Sequence, residues 1–209
     1  MDHSALTRKT YNAVAQQYHD KFSQISIYDA SYKQFAELLT ANARVLEIGC
    51  GPGNVCQKIM AMQPQIDWLG IDLAEKMVEI AQQVNPTAHF QTGDARQLSG
   101  FEPGFNGILG GFCVPYLNSK ETIALLKDAW QLLAPAGVLY LSSVIGEYTQ
   151  SRMVSNSQGD QSVFLHYYPA DFIPSRAAAL GFCTLYNENI RYENGEYHQL
   201  WIGKKHQPK

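Results

Sequence analysis

The chain has 209 residues, 45% of them apolar, enough to bury the core of one domain of ordinary size. Its formal net charge of −3 offers no basic field to hold a phosphate backbone, which sets nucleic acid aside as a partner. No run approaches the roughly 20 apolar residues of a membrane helix, and Met1 to Tyr11 is too polar for a secretory leader, so the expectation is a cytoplasmic protein with no membrane partner.

Leu6 to Phe22 places Tyr11, Val14, Ala15 and Tyr18 at helical spacing and predicts a helix with one apolar stripe, inside a cap of residues 1–40. Residues 41–145 then alternate short β-rich runs with helical ones. Strands are expected at Arg44–Ile48, Trp68–Ile71, His89–Gln91, Gly107–Phe112 and Val138–Val144. Helices are expected at Val55–Met62, Ala74–Gln83 and Lys120–Leu133, the last stopped by Pro135 and Gly137. Ser142 to Gln161 is rich in Ser, Gln and Asn and is read as an irregular polar excursion, with a lid over a site and a plain surface loop both open. After the run Pro169–Leu180, Cys183–Ile190 and Tyr197–Ile202 flank Asn194-Gly195, a type I′ hairpin signal. The whole predicts one α/β domain, a doubly wound seven-stranded sheet, mostly parallel with an antiparallel last strand. Residues 146–209 would supply a substrate-side loop and the closing hairpin.

The strongest motif is Glu47-Ile48-Gly49-Cys50-Gly51-Pro52-Gly53-Asn54, a strand running through three alternate glycines into a helix. A turn without side chains lets a ligand approach backbone atoms, and the helix start offers unpaired N–H groups. The dinucleotide pattern G-x-G-x-x-G fails here, because Asn54 or Cys56 stands at its third glycine. That argues against a nicotinamide-dependent reductase. Asp72 and Asp94 close the second and third strands, where carboxylates accept from ribose hydroxyls and from the exocyclic amine of a base. Either Asp alone reads more readily as a helix cap than as a ligand. Together with the glycine turn, in this order, they read as a receptor for an amino-acid-bearing nucleoside.

These residues, E-I-G-C-G-P-G, G-I-D and G-D-A, resemble the class I S-adenosylmethionine-dependent methyltransferases with small-molecule acceptors, over most of the chain. Leu132 to Gly137 is similar to that family's L-x-P-G-G turn, with Ala136 in place of a glycine, and Tyr11-Asn12-x-x-Ala15-x-x-Tyr18 to its cap helix, with Asn12 in place of Asp. The resemblance implies a Rossmann-like methyltransferase fold and S-adenosylmethionine as cofactor, leaving as S-adenosylhomocysteine. It implies that Gly49, Gly51 and Gly53 line the methionine portion and that Glu47 supports the loop. Asp72 would bind the ribose, Asp94 and Ala95 the adenine, and Met77 the adenine face; Tyr11, Tyr18, Leu73, Gly111, Phe112 and Tyr116 complete the set. Val114-Pro115-Tyr116 is only faintly similar to the [DN]-P-P-Y of amino-directed methylases, since the amide or acid is missing.

Methyl transfer from a sulfonium needs alignment and exclusion of water more than acid or base machinery. Where an acceptor proton must leave, His166 is the candidate base. Tyr148, Arg152, Asp160 and Tyr167 are candidates for reading a small-molecule substrate. The scattered Cys50, Cys56, Cys113 and Cys183 lack C-x-x-C spacing and the remaining histidines lack ligand spacing, so no metal is expected. The alternative function is a catalytically silent cofactor-binding module acting through protein contacts. The sequence leaves the acceptor atom and the oligomeric state open.

Overall fold

The computed structural model describes residues 2–155 and 159–206. Two helices, α1 (Ser4–Phe22) and α2 (Asp29–Glu37), lead into β1 (Arg44–Ile48), α3 (Asn54–Met62), β2 (Asp67–Asp72), α4 (Glu75–Val84) and β3 (His89–Thr92). β4 (Phe105–Gly110), α5 (Ser119–Leu132) and β5 (Leu133–Ile145) follow. The chain ends with β6 (Arg152–Ser155), β7 (Ser162–Leu165), α6 (Phe172–Leu180), β8 (Phe182–Arg191) and β9 (Tyr197–Lys205). No helix among the described residues is long and apolar enough to cross a membrane.

Seven strands form one sheet in the order β3-β2-β1-β4-β5-β9-β8, with β9 antiparallel to both neighbours and the others codirectional. This is the expected doubly wound sheet. The central strands are buried on both faces, so their side chains feed two cores by alternation. Leu46, Ile48, Ile108, Leu139 and Leu141 meet α5 and α6 through Leu125, Leu126, Ala129, Ile173 and Ala177. Val45, Leu109, Val138 and Tyr140 meet α2 and α3 through Tyr32, Phe35 and Ile59. Each such fully buried side chain stabilises the fold by ~1.5–3 kcal/mol.

Several local expectations are corrected. α2 was not predicted, although Tyr32, Phe35, Ala36 and Leu39 carry helical spacing and are buried. β4 ends at Gly110 rather than Phe112, because Phe112 takes φ of 60° and turns the chain out of the sheet. The polar excursion from Ser142 is not irregular: β5 runs to Ile145, and β6 pairs with β7 as a hairpin, although residues 156–158 of that excursion lie outside the described residues. The hairpin straps α1 down, with Thr10 Oγ1 donating to the Ser162 carbonyl at 2.7 Å and His3 stacked on Phe164 at 4.4 Å. The last turn is not type I′, which needs positive φ at both Asn194 and Gly195; only Gly195 has it. Gly195 N donates to Tyr192 O and Tyr192 N to Glu196 O, a three-residue loop with a left-handed glycine.

Near its start β5 bends at Ala136, which takes φ 61° where the similar family turn has glycine. A left-handed alanine costs ~1–2 kcal/mol, more than the ~0.5–1 kcal/mol of extra chain entropy that glycine loses on folding. Ala136→Gly is therefore expected to stabilise the protein by ~0.5–1 kcal/mol in urea unfolding; a lower midpoint would contradict the strain.

Candidate functional site

β1 lies between β2 and β4, so the strand order reverses at β1 and the connections leave on opposite sides, opening a crevice beyond the carboxyl ends. The glycine turn fills its floor. A Cβ on Gly51, at φ 53°, would meet nothing within 4 Å, so this backbone faces open space. Gly53 serves a different need: at φ 80° its added Cβ would stand 2.4 Å from Asn85 Nδ2 and 3.1 Å from Ala81 Cα, so it lets α3 start tightly against α4. The Asp72 carboxylate holds the turn, accepting from Gly51 N and Ala74 N at 2.9 Å each. Burial raises its pKa, and the hydrogen bonds from Ala74, Gly51 and Leu73 offset part of that rise.

A first cavity of about 940 Å³, open mouth included, runs from this turn along the ends of β2 and β3 and under α1. Met77 packs with Ala15 and Ala74, joined by Tyr11 and Tyr18, which is why α1 carries an apolar stripe. Asn12 anchors the helix from its outer side: its Oδ1 accepts from Lys76 N at 3.0 Å and its Nδ2 donates to Glu75 at 2.7 Å. An amide supplies both contacts where an Asp would only accept. Asp94 lines the cavity while Arg96 donates to it at 2.6 Å and also reaches Asp2 and Glu121. Desolvation raises the Asp94 pKa, but Arg96 outweighs it and the net shift is downward, so Asp94 is an ionised acceptor.

A second cavity, about 1180 Å³ with its mouth, adjoins the first. The two share Tyr11, Tyr18, Gly49, Gly51, Gly111, Phe112 and Tyr116. The Tyr11 and Tyr116 hydroxyls hydrogen-bond to each other, and their rings meet edge to face at 5.5 Å. Phe112 N donates to Ser142 Oγ at 2.7 Å, which holds its left-handed backbone at this shared wall. Beyond it, Tyr28 Oη and His198 Nδ1 lie 2.8 Å apart, both residues buried. Glu47 also faces this cavity, accepting from Trp68 Nε1 at 3.1 Å; burial raises its pKa to about 8, the Trp68 bond opposing and Asp72 adding to the rise. Among the described residues no group of three or more His, Cys, Asp or Glu is arranged to hold a metal.

Of the residues singled out in the sequence, Tyr11, Tyr18, Gly49, Gly51, Asp72, Leu73, Met77, Asp94, Ala95, Gly111, Phe112 and Tyr116 all line the first cavity. Glu47 lines the second, and Gly53 lines neither. His166 faces the first cavity alone, stacked on Tyr148 at 5.5 Å, with its pKa lowered by burial. Tyr148, Arg152, Asp160 and Tyr167 line neither cavity. Arg152 pairs with Glu196 and lies over the Tyr167 ring, while Tyr167 donates to Glu196. Sequence reasoning missed Arg96, Tyr28, Tyr32 and His198. The i, i+4 pair Tyr28 and Tyr32 was a visible signal; nothing local marked His198.

A family profile described as Methyltransferase domain matches residues 45–137. The chain is similar to a malonyl-acyl-carrier protein O-methyltransferase of Bacillus cereus, 26% identical over 82% of this chain and 67% of that one. It is also similar to a trans-aconitate 2-methyltransferase of Methylobacterium nodulans, 32% identical over 48% of this chain and 38% of the relative. Among solved structures it resembles the magnesium protoporphyrin IX methyltransferase of Synechocystis with S-adenosylmethionine bound, with TM-score 0.72 and 14% identity over 98% of each chain. It resembles the cyclase SpnF with TM-score 0.75 and 15% identity, over 98% of this chain and 97% of that one. At such identities the structural likeness speaks for the fold alone. The profile match over residues 45–137 and the sequence relatives, on this fold, support a class I S-adenosylmethionine-dependent methyltransferase with S-adenosylmethionine as cofactor.

The raised pKa of Glu47 carries a stability consequence. Between its unfolded value near 4.5 and about 8 the folded state retains a proton the unfolded state has lost, so stability falls as pH rises through that window. Glu47→Gln removes the penalty and keeps an acceptor for Trp68. Its stability relative to the parent is expected to improve by a few kcal/mol between pH 5 and pH 8; a pH-independent difference in urea unfolding contradicts the neutral buried acid.

Proposed function

We propose that the chain transfers the methyl group of S-adenosylmethionine from the first cavity to a small-molecule acceptor held in the second. The observation that carries this reading is the wall common to the two cavities, with Tyr11, Tyr18, Phe112 and Tyr116 as its aromatic part. A cofactor on one side and an acceptor on the other would meet there. Aromatic faces attract a sulfonium by ~0.5–2 kcal/mol.

The residues present fit the cofactor. The open backbone at Gly51 with Gly49 holds the methionine portion, Asp72 accepts from the ribose hydroxyls, and Asp94, Ala95, Leu73 and Met77 surround the adenine. S-adenosylmethionine supplies an activated methyl group with a neutral thioether as leaving group. The chain's own part is alignment of the acceptor and exclusion of water, for which α1 closes the cavity. The name of the trans-aconitate relative supports a small-molecule acceptor.

Calorimetric titration with S-adenosylhomocysteine tests the cofactor site. One equivalent is expected to bind, NAD is expected not to compete, and Asp72→Ala is expected to weaken binding by about 100-fold or more, the loss of two charge-assisted hydrogen bonds. Absent binding, or full affinity in Asp72→Ala, overturns the assignment. Tight binding without methyl transfer across an acceptor panel would instead identify a silent cofactor-binding module.

A further inference from the structure

We propose that the second cavity receives an uncharged, flat aromatic hydroxyl compound, and that His198 takes the hydroxyl proton as the methyl group is transferred. The inference rests on the methyl-transfer reading above and names the acceptor class and the proton's destination.

The first observation is a ring-lined recess. Phe112, on the wall shared with the cofactor cavity, lies 5.0 Å from the Tyr28 ring and 4.9 Å from the His198 ring, and Tyr192 stacks on His198 at 4.8 Å. These rings are packed on one another, and together they give the cavity an aromatic wall against which a flat aromatic guest can pack. The second observation is charge. The acidic and basic side chains on the cavity wall besides His198 and the tyrosines, among the described residues, are Glu47, which burial keeps neutral, Lys58 and Glu196. Lys58 is engaged by Asp29 and the Ile25 carbonyl at 2.6 and 2.5 Å, and Glu196 by Arg152, Tyr167 and Asn194. An anionic acceptor would find no uncommitted cation there and the ionised Glu196 beside it, so desolvating its charge would go uncompensated.

The third observation is the placement of His198. Its Nδ1 is held by Tyr28 Oη at 2.8 Å, its Nε2 has no partner among the described residues and is not one of the sealed unpartnered atoms, and the residue lines the cavity. With Nδ1–H donating to Tyr28, Nε2 presents a lone pair to the guest. Burial keeps the imidazole neutral by lowering its pKa from 6.5, with Glu196 opposing. The groups around it are Tyr28, the hairpin residues Tyr192, Glu193 and Glu196, and the apolar Val144 and Ile190 on the neighbouring strands. In the transfer, an oxygen lone pair forms the new O–C bond as the C–S bond breaks, its electron pair stays on sulfur, and the hydroxyl proton passes to Nε2.

The test uses 2-naphthol and 2-naphthoate, one ring system with and without a charge, against protein saturated with S-adenosylhomocysteine. Fluorescence titration is expected to show naphthol binding at least tenfold tighter than naphthoate, and with S-adenosylmethionine naphthol is expected to yield its methyl ether. His198→Gln is expected to lower kcat by about 100-fold or more and to abolish the acid limb of the pH profile, with S-adenosylhomocysteine affinity unchanged. Tyr28→Phe, which removes one oxygen, is expected to lower kcat about tenfold and serves if the histidine variant does not fold. Equal or tighter naphthoate binding, no naphthol binding to protein that holds S-adenosylhomocysteine, or unchanged kcat in both variants overturns the inference. Failure of S-adenosylhomocysteine to bind the parent protein would instead overturn the methyl-transfer reading and this one with it.

Discussion

The carboxylate of Asp72 is the constraint on which the site depends. It stands at the end of β2 and takes hydrogen bonds from Gly51, in the turn after β1, and from Ala74, at the start of α4. Two strands and one helix are thereby fixed by one half-buried side chain, where an unpaired charge would be costly. The arrangement follows from the strand order, because only where connections diverge do two carboxyl ends remain uncovered. The residue that gives the floor its shape also offers oxygen lone pairs to a ligand above it.

From that fixed floor the two cavities are differentiated by what covers them. The first lies under α1 and gathers ionised, hydrogen-bonded groups around Asp94 and Arg96. The second is walled by rings and holds acids and a cation that are satisfied within the protein or kept neutral, as with Glu47. The polar compartment suits a nucleoside with an amino-acid tail. The aromatic one suits a guest that brings little charge. The cyclase SpnF has the same fold, so the chemistry is a matter of these walls and not of the sheet.

Much of the fold was legible because β1, β2, β4 and β5 are short apolar runs set between longer helical patterns, and Gly49 to Gly53 punctuate the first crossing. The misses have physical reasons. β6 is mostly exposed and reaches α1 only through its partner β7, and its residues without an obvious apolar period read as irregular. Asn194-Gly195 was given the wrong turn because the strands close one residue further out, at Tyr192 and Glu196. Asp72, Asp94 and the glycines announced themselves by following strands. Tyr28 and His198 stand 170 positions apart and are joined only by the return of β9 beside β5, which no local pattern encodes.

The anchoring of α1 bears on traffic through the molecule. Arg8 with Glu75 and Arg96 with Asp2 are ion pairs with at least one member largely in water, each worth little. Tyr11 and Tyr18, on the inner side of the same helix, belong to both compartments. One helix thus covers both chambers at once, and its outer latches are of the kind that dissolved salt weakens.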